Sequence, residues 1–229
     1  VNNKSVPFSV FKPTAVGRFE IYRKVSQSEK LEDFELEEWN QIKKRFDRIF
    51  NHAKKNNIPV LVDAEESWIQ TSVDDLLLYF MKKYNKINPI IYNTLQAYRW
   101  DRYDYLVKLH EKAKNENFVI GIKLVRGAYM EKERAHANDK GYISPICKTK
   151  LETDKNFDNC LTFMMDNLDY FRLYIGTHNE KSTLHALKLL SLKGISNNNS
   201  KIWFGQLFGM SDHISFNLAN SKYNVSKYL

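Results

Sequence analysis

The stretch "GIKLVRGAYMEKERA", residues 121–135, changes its period part-way along. Its first half is a short apolar run rich in β-branched residues, as in a buried strand, and its second half is the charged opening of a helix. Lys123 is the awkward residue, because burying an unpaired ammonium group costs several kcal/mol. Strand parity puts Lys123 on one face with Gly121 and Val125, and Leu124 and Arg126 on the other. Only one of the two cations then has to lie inside, so Lys123 is expected in an interior mouth and Arg126 at its rim.

The same alternation recurs along the chain. Candidate strands are Phe8–Phe11, Val60–Val62, Ile90–Leu95, Val119–Leu124, Phe171–Gly176, Ile202–Gly205 and Val225–Tyr228, each followed by a longer segment of helical period. One helix sets Trp39, Ile42, Phe46, Ile49 and Phe50 on a single side, and a later one sets Phe157, Cys160, Leu161, Met164 and Leu168 together. Others follow Asp63 (Val73, Leu76, Leu77, Phe80), Asp101 (Leu106, Leu109) and His178 (Leu184, Leu187, Leu190, with Gly194 as the stop); Asp212 reads as an N-cap. Strand–helix alternation of this kind calls for a mainly parallel sheet, doubly wound or closed into a barrel.

Two features favour the barrel. None of the eight glycines forms the GxGxxG turn of a dinucleotide fold. The strands also end in polar residues: Lys12, Asp63, Gln96, Lys123, Thr177-His178-Asn179, Gln206 and Tyr228. In a (β/α)8 barrel such ends meet at one face, where active sites are built. The expected fold is therefore an α/β, (β/α)8 barrel, with residues 1–229 forming one domain and no linker or repeat dividing it.

A hydrophobic content of 43% supports a large core, and the formal net charge of +8 comes from dispersed lysines that read as solvated helix faces rather than a nucleic-acid stripe. Cys147 and Cys160 form neither a CxxC pair nor a disulfide framework, so both are read as structural, in a reducing compartment. No apolar stretch is long enough to span a bilayer. There is no HExxH and no serine elbow, so metal hydrolysis and serine acyl transfer are poorly supported. The remaining set suits an anionic small molecule beside an electron-rich cofactor, or else a Schiff-base lysine. Asp63 could pair with a cation in the mouth or cap the helix beginning near Ser67. His178 could touch a cofactor or only fix its loop, and Tyr129 could lie over a ring or only pack on the next helix.

With these residues in hand, the chain resembles the proline dehydrogenase family of flavoenzymes. The resemblance rests on "VFKPTA" (10–15), "VDAEES" (62–67), "NTLQAYRWDR" (93–102), "KLVRGAYMEKERA" (123–135), "GTHNE" (176–180), "FGQLFGMSDHISF" (204–216) and "YNVSKY" (223–228). Lys123 and the "GYISPI" loop (141–146) make it most similar to the single-function branch. The resemblance implies a distorted (β/α)8 barrel with FAD bound non-covalently at the carboxy-terminal face, oxidation of L-proline to Δ1-pyrroline-5-carboxylate, and electron transfer to a membrane quinone. It implies a place in the bacterial cytoplasm, peripheral to the inner membrane, or at the mitochondrial inner membrane in a eukaryote.

By position, the resemblance gives Lys12 to the substrate carboxylate and Asp63 to the ordering of that site, with Tyr129, Leu207 and Tyr228 as walls around the proline ring. It places Gln96, Lys123, Val125, Gly127, Thr177, His178, Asn179 and Gln206 near the flavin, with Lys123 as the cation beside N5. The family continues past Tyr228 into a helix carrying paired arginines and an eighth strand, so an incomplete barrel is expected from this chain. Two rival readings stay open: a Schiff-base aldolase or lyase on Lys12 or Lys123, and a non-enzymatic basic binding module.

Overall fold

All seven apolar runs form strands, within one or two residues of the expected bounds. The computed structural model describes residues 5–228. β1 (Ser9–Phe11) leads through a 3-10 turn (Pro13–Ala15) into α1 (Phe19–Ser26) and α2 (Asp33–Asn56). Then follow β2 (Val60–Val62), α3 (Ser67–Tyr84), β3 (Ile91–Gln96), α4 (Arg102–Glu116) and β4 (Ile120–Val125). The second half runs α5 (Met130–Lys140), α6 (Lys150–Asp166), β5 (Phe171–Gly176), α7 (Glu180–Leu192), β6 (Ile202–Leu207), α8 (Asp212–Asn220) and β7 (Val225–Tyr228). The strands lie in sequence order in one sheet and every pair is parallel, as helical crossovers require.

Parity divides this sheet into two surfaces. Its outer face packs on the helices, where Ile42, Phe46 and Phe50 of α2 and Phe80 of α3 meet Val60, Val62, Ile91 and their neighbours in one large apolar core. The rings of Phe50 and Phe80 lie edge to face at 5.3 Å, a geometry that adds to the burial of the rings. The inner face is smaller and aromatic: Leu61, Tyr92 and Tyr174 are buried there, joined by Phe8, Trp203 and Tyr228. Phe8, just ahead of β1, meets Tyr92, Tyr174 and Trp203 at 5.6, 5.3 and 5.3 Å, so the sheet curls until its first strand faces its sixth.

The architecture is a curled half-barrel of seven strands. Among the described residues no strand joins β7 to β1, so the eightfold closure of a complete (β/α)8 barrel is not formed, in line with the incomplete barrel expected. Close approach at Gly205 helps the curl: a Cβ there would stand 2.1 Å from the Tyr174 hydroxyl, which reaches across to Ser226 Oγ at 2.9 Å.

Several sequence expectations need correction. Lys123 lies two residues short of the tip of β4 rather than at it, because β4 runs on to Val125. Asp63 does not cap α3: Glu66 holds the cap position, and the exposed end of that helix is served by Glu133 of α5, which accepts from Ser67 N and Oγ, both at 2.6 Å. Asp212 is the first residue of α8 instead of its cap; Ser211 occupies that place with φ +50°, and Asp212 pairs with Lys227 at 2.6 Å. Leu184 is 63% exposed, since the buried side of α7 is formed by Thr183, Ala186 and Leu190. The short helix α1 escaped the sequence reading, having only Ile21 and Tyr22 as buried residues.

Candidate active site

The carboxy-terminal ends of the strands enclose a cavity of about 470 Å³. Every strand contributes: Lys12 after β1, Asp63 after β2, Thr94 and Gln96 from β3, Lys123 and Val125 from β4, Tyr174 and Gly176 from β5, Gly205 and Leu207 from β6, and Tyr228 from β7. Most of these share the inward parity, so the period of two that sorts each strand also selects the cavity wall.

At its centre, Asp63 Oδ1 accepts from Lys123 Nζ at 2.7 Å and from the Tyr228 hydroxyl at 2.6 Å. Lys123 also lies 3.7 Å from the centroid of the Tyr228 ring, an arrangement that favours its charge. Burial pushes the Lys123 amine below its ordinary value, and Asp63 works against that push. Burial raises the Tyr228 hydroxyl, and the neighbouring Asp63 carboxylate raises it further.

Lys12 differs. It is half exposed, donates to the Tyr129 hydroxyl at 3.2 Å and stands 4.0 Å from Asp63 Oδ2. Partial burial would lower its pKa, but the Tyr129 bond and the charges of Asp63 and Glu65 outweigh this and leave it raised, so it stays a cation. Two lysines thus face one carboxylate, and Asp63 is the single acid among the described residues lining the cavity.

At the rim, Arg126 turns away from Lys123 as parity required. Its three nitrogens reach Asp154 Oδ1 (2.8 Å), Thr177 Oγ1 (2.9 Å) and Ser182 Oγ (2.9 Å), so the loop after β4 is pinned to α6 and α7. The next residue, Gly127, has φ +129°, and a Cβ on it would enter the Tyr98 ring at 2.5 Å; glycine is required by both backbone and space. Tyr129 then sits at the N-cap of α5 and faces the cavity.

The remaining predicted positions also line the cavity, but several are already engaged. Thr177 Oγ1 accepts from Arg126 and from Asn179 N, and Asn179 Oδ1 caps α7 through Ser182 N at 3.0 Å. Gln206 donates to Thr177 O at 3.2 Å and accepts from Ser215 Oγ at 2.8 Å, which spends its amide on β5 and α8. His178 Nδ1 lies 3.0 Å from Ser211 Oγ, and burial together with Lys227 holds its pKa down. Gln96 gives its Nε2 to Glu65 O at 3.0 Å, while its buried Oε1 has no hydrogen-bond partner. Sequence reasoning missed Thr94, Tyr174 and Lys150 in the lining. The first two could have been found by extending the parity of Gln96 and Gly176, whereas Lys150 comes from the start of α6 and carries no local signal.

The family model for proline dehydrogenase matches residues 6–229. The chain is 34% identical to the carbapenem antibiotics biosynthesis protein CarD of Pectobacterium carotovorum over 98% of its own length and 57% of that protein. It is 37% identical to proline dehydrogenase 1, mitochondrial, of Arabidopsis thaliana over 91% of its length and 43% of the relative, so it spans about half of the curated relatives it matches. The crystal structure of proline utilization A (PutA) from Bdellovibrio bacteriovorus superposes with a TM-score of 0.83 at 20% identity, covering 96% of this chain and 22% of that one. On the match of the family model along nearly its whole length, the chain belongs to the proline dehydrogenase family.

Proposed function

We propose that the protein oxidises L-proline to Δ1-pyrroline-5-carboxylate in this cavity, with non-covalent FAD, and that the electrons pass to a membrane quinone. The charge count supports this best: Lys12 and Lys123 face a single carboxylate, and an anionic substrate would balance the excess. Lys12, half exposed at the mouth, is the partner for the proline carboxylate. Tyr129, Leu207 and Tyr228 offer apolar surface to a saturated ring, so much of the acceleration would be positioning.

The residues present fit a flavin. Gln96 Oε1 is a buried acceptor in need of a donor, such as a ring N–H. Gly176 adds no side chain to the wall beside Val125, and at Gly127 and Gly205 the rings of Tyr98 and Tyr174 pack directly on the backbone. Thr177, His178 and Asn179 lead into the N-terminus of α7 beside Arg126, Lys150 and Gln206, a suitable end for phosphate oxygens. When bound, FAD supplies the acceptor for the hydride leaving proline C5. Lys123 holds a fixed positive charge in a largely dry wall, where developing negative charge is stabilised most strongly. Asp63 already accepts from two donors, so it orients Lys123 and Tyr228 rather than acting as a general base.

Quinone reduction would bring the protein to a membrane surface, bacterial or mitochondrial; no helix among the described residues is long and apolar enough to cross one. The depressed pKa of Lys123 favours a second reading, imine chemistry, but Asp63 occupies that amine. A flavin absorption spectrum with proline-dependent dye reduction is the expected result. A colourless protein that borohydride traps on a carbonyl compound would replace oxidation by imine chemistry.

A further inference from the structure

Glu65 lies outside the cavity lining, yet its side chain bonds the turn after Lys12 and its main-chain carbonyl bonds Gln96 of the lining. It is 7% exposed. Its side chain takes both donors of Thr14, the backbone N–H at 3.1 Å and the hydroxyl at 2.8 Å. Its main-chain carbonyl takes Gln96 Nε2 at 3.0 Å. Thr14 is in the 3-10 turn that directly follows Lys12, and that turn is further fixed by Pro13, whose carbonyl accepts from the buried Tyr22 hydroxyl at 2.8 Å.

We propose that Glu65 is a positioning residue with two separable arms: its carboxylate sets the turn that aims Lys12 at the substrate, and its carbonyl sets the amide of Gln96. The inference rests on the reading of Lys12 as the anchor of the proline carboxylate. Two donors on one residue need two acceptors in a fixed plane, which a carboxylate supplies. Substitution of the side chain leaves the carbonyl in place, so the two arms act on different groups: substrate capture through Lys12, and the setting of Gln96 on β3.

The test uses the intact, flavin-loaded protein. Glu65→Met removes the side-chain arm, and it is expected to raise KM for proline about ten- to hundred-fold, since displacing an anchoring group by about 1 Å has effects of this order. Its kcat should stay within about twofold and its flavin spectrum should not change. Glu65→Gln restores both bonds, accepting from Thr14 N–H and donating to Thr14 Oγ1, and is expected to recover the original KM. Thr14→Val should give a smaller rise that does not add to that of Glu65→Met. Hydrogen exchange at the Thr14 amide, read without any turnover, should speed up in Glu65→Met and not in Glu65→Gln.

An unchanged KM in both Glu65→Met and Thr14→Val, whatever happens to melting temperature, overturns the proposal. So does a Glu65→Gln variant as impaired as Glu65→Met, which would show that charge alone matters. If the unsubstituted protein is inert toward proline, the functional reading falls. Exchange at Thr14 then still decides the carboxylate arm: an unchanged rate in Glu65→Met overturns it.

Discussion

Lys123 and Arg102 are both buried cations, on opposite faces of the same sheet, and they are treated differently. Arg102 starts α4 on the outer side. Its guanidinium donates to Asp74 Oδ2 at 2.8 Å and to both oxygens of Asp101, at 3.1 and 2.6 Å, and it stacks over Tyr105 at 4.7 Å. Burial opposes its charge, but Asp74 and Asp101 outweigh burial and raise its pKa. Lys123 has one carboxylate partner, shared with Tyr228, and burial wins. A saturated cation serves the scaffold; an unsaturated one, facing a cavity, is available for chemistry.

Arg102→Met puts that contrast under the heaviest load. It leaves Asp74, which is 7% exposed, without a charged partner although Gln70 and Asn93 still donate to its Oδ1, and should cost about 3–5 kcal/mol of stability in denaturant titration, with proline oxidation per folded molecule unchanged. A large loss of turnover without a loss of stability would break the distinction. Lys123→Met should do the reverse: kcat falls by about 10²–10³, while thermal unfolding hardly moves because Tyr228 still donates to Asp63. A stability loss as large as that of Arg102→Met would make Lys123 a scaffold residue as well.

Acid sharpens the outer side. Burial alone would push the Asp101 carboxyl up, but Arg102 and Arg99 outweigh it and lower the pKa from 3.8 to about 2. Because the folded value is the depressed one, the stabilisation is complete above pH 3.8 and is lost as pH falls through about 2. It amounts to roughly 2 kcal/mol. The stability gap between the unsubstituted protein and Asp101→Asn should therefore close over that window, and a gap independent of pH would refute the assignment. The smallest effect is expected on the inner face, where Tyr174→Phe removes one hydrogen bond to Ser226, worth about 1 kcal/mol in unfolding. No change at all would mean that packing alone holds β7 in place.

Much of the site was legible in the sequence because strand parity is a local rule. Lys123 inside and Arg126 at the rim follow from counting in twos along an apolar run, and the gathering of Asp63, Gln96 and Tyr228 from the polar ends of strands that meet at one face. The partners were not legible. Nothing near Asp212 showed that Ser211 would take the cap, or that Lys227, from the next strand, would claim the carboxylate. Likewise Gln206 looked free for a cofactor until α8 brought Ser215 within 2.8 Å of it.

The sequence by itself determined the order of the strands, the face on which their residues lie and the family motifs, because periodicity and turn chemistry act over a few residues. The tertiary structure alone decided which buried charges are saturated, how far the sheet curls, and that Glu65 reaches Thr14 across 51 positions. Those outcomes depend on distances between segments remote in the chain, and such distances are fixed only when the whole core packs.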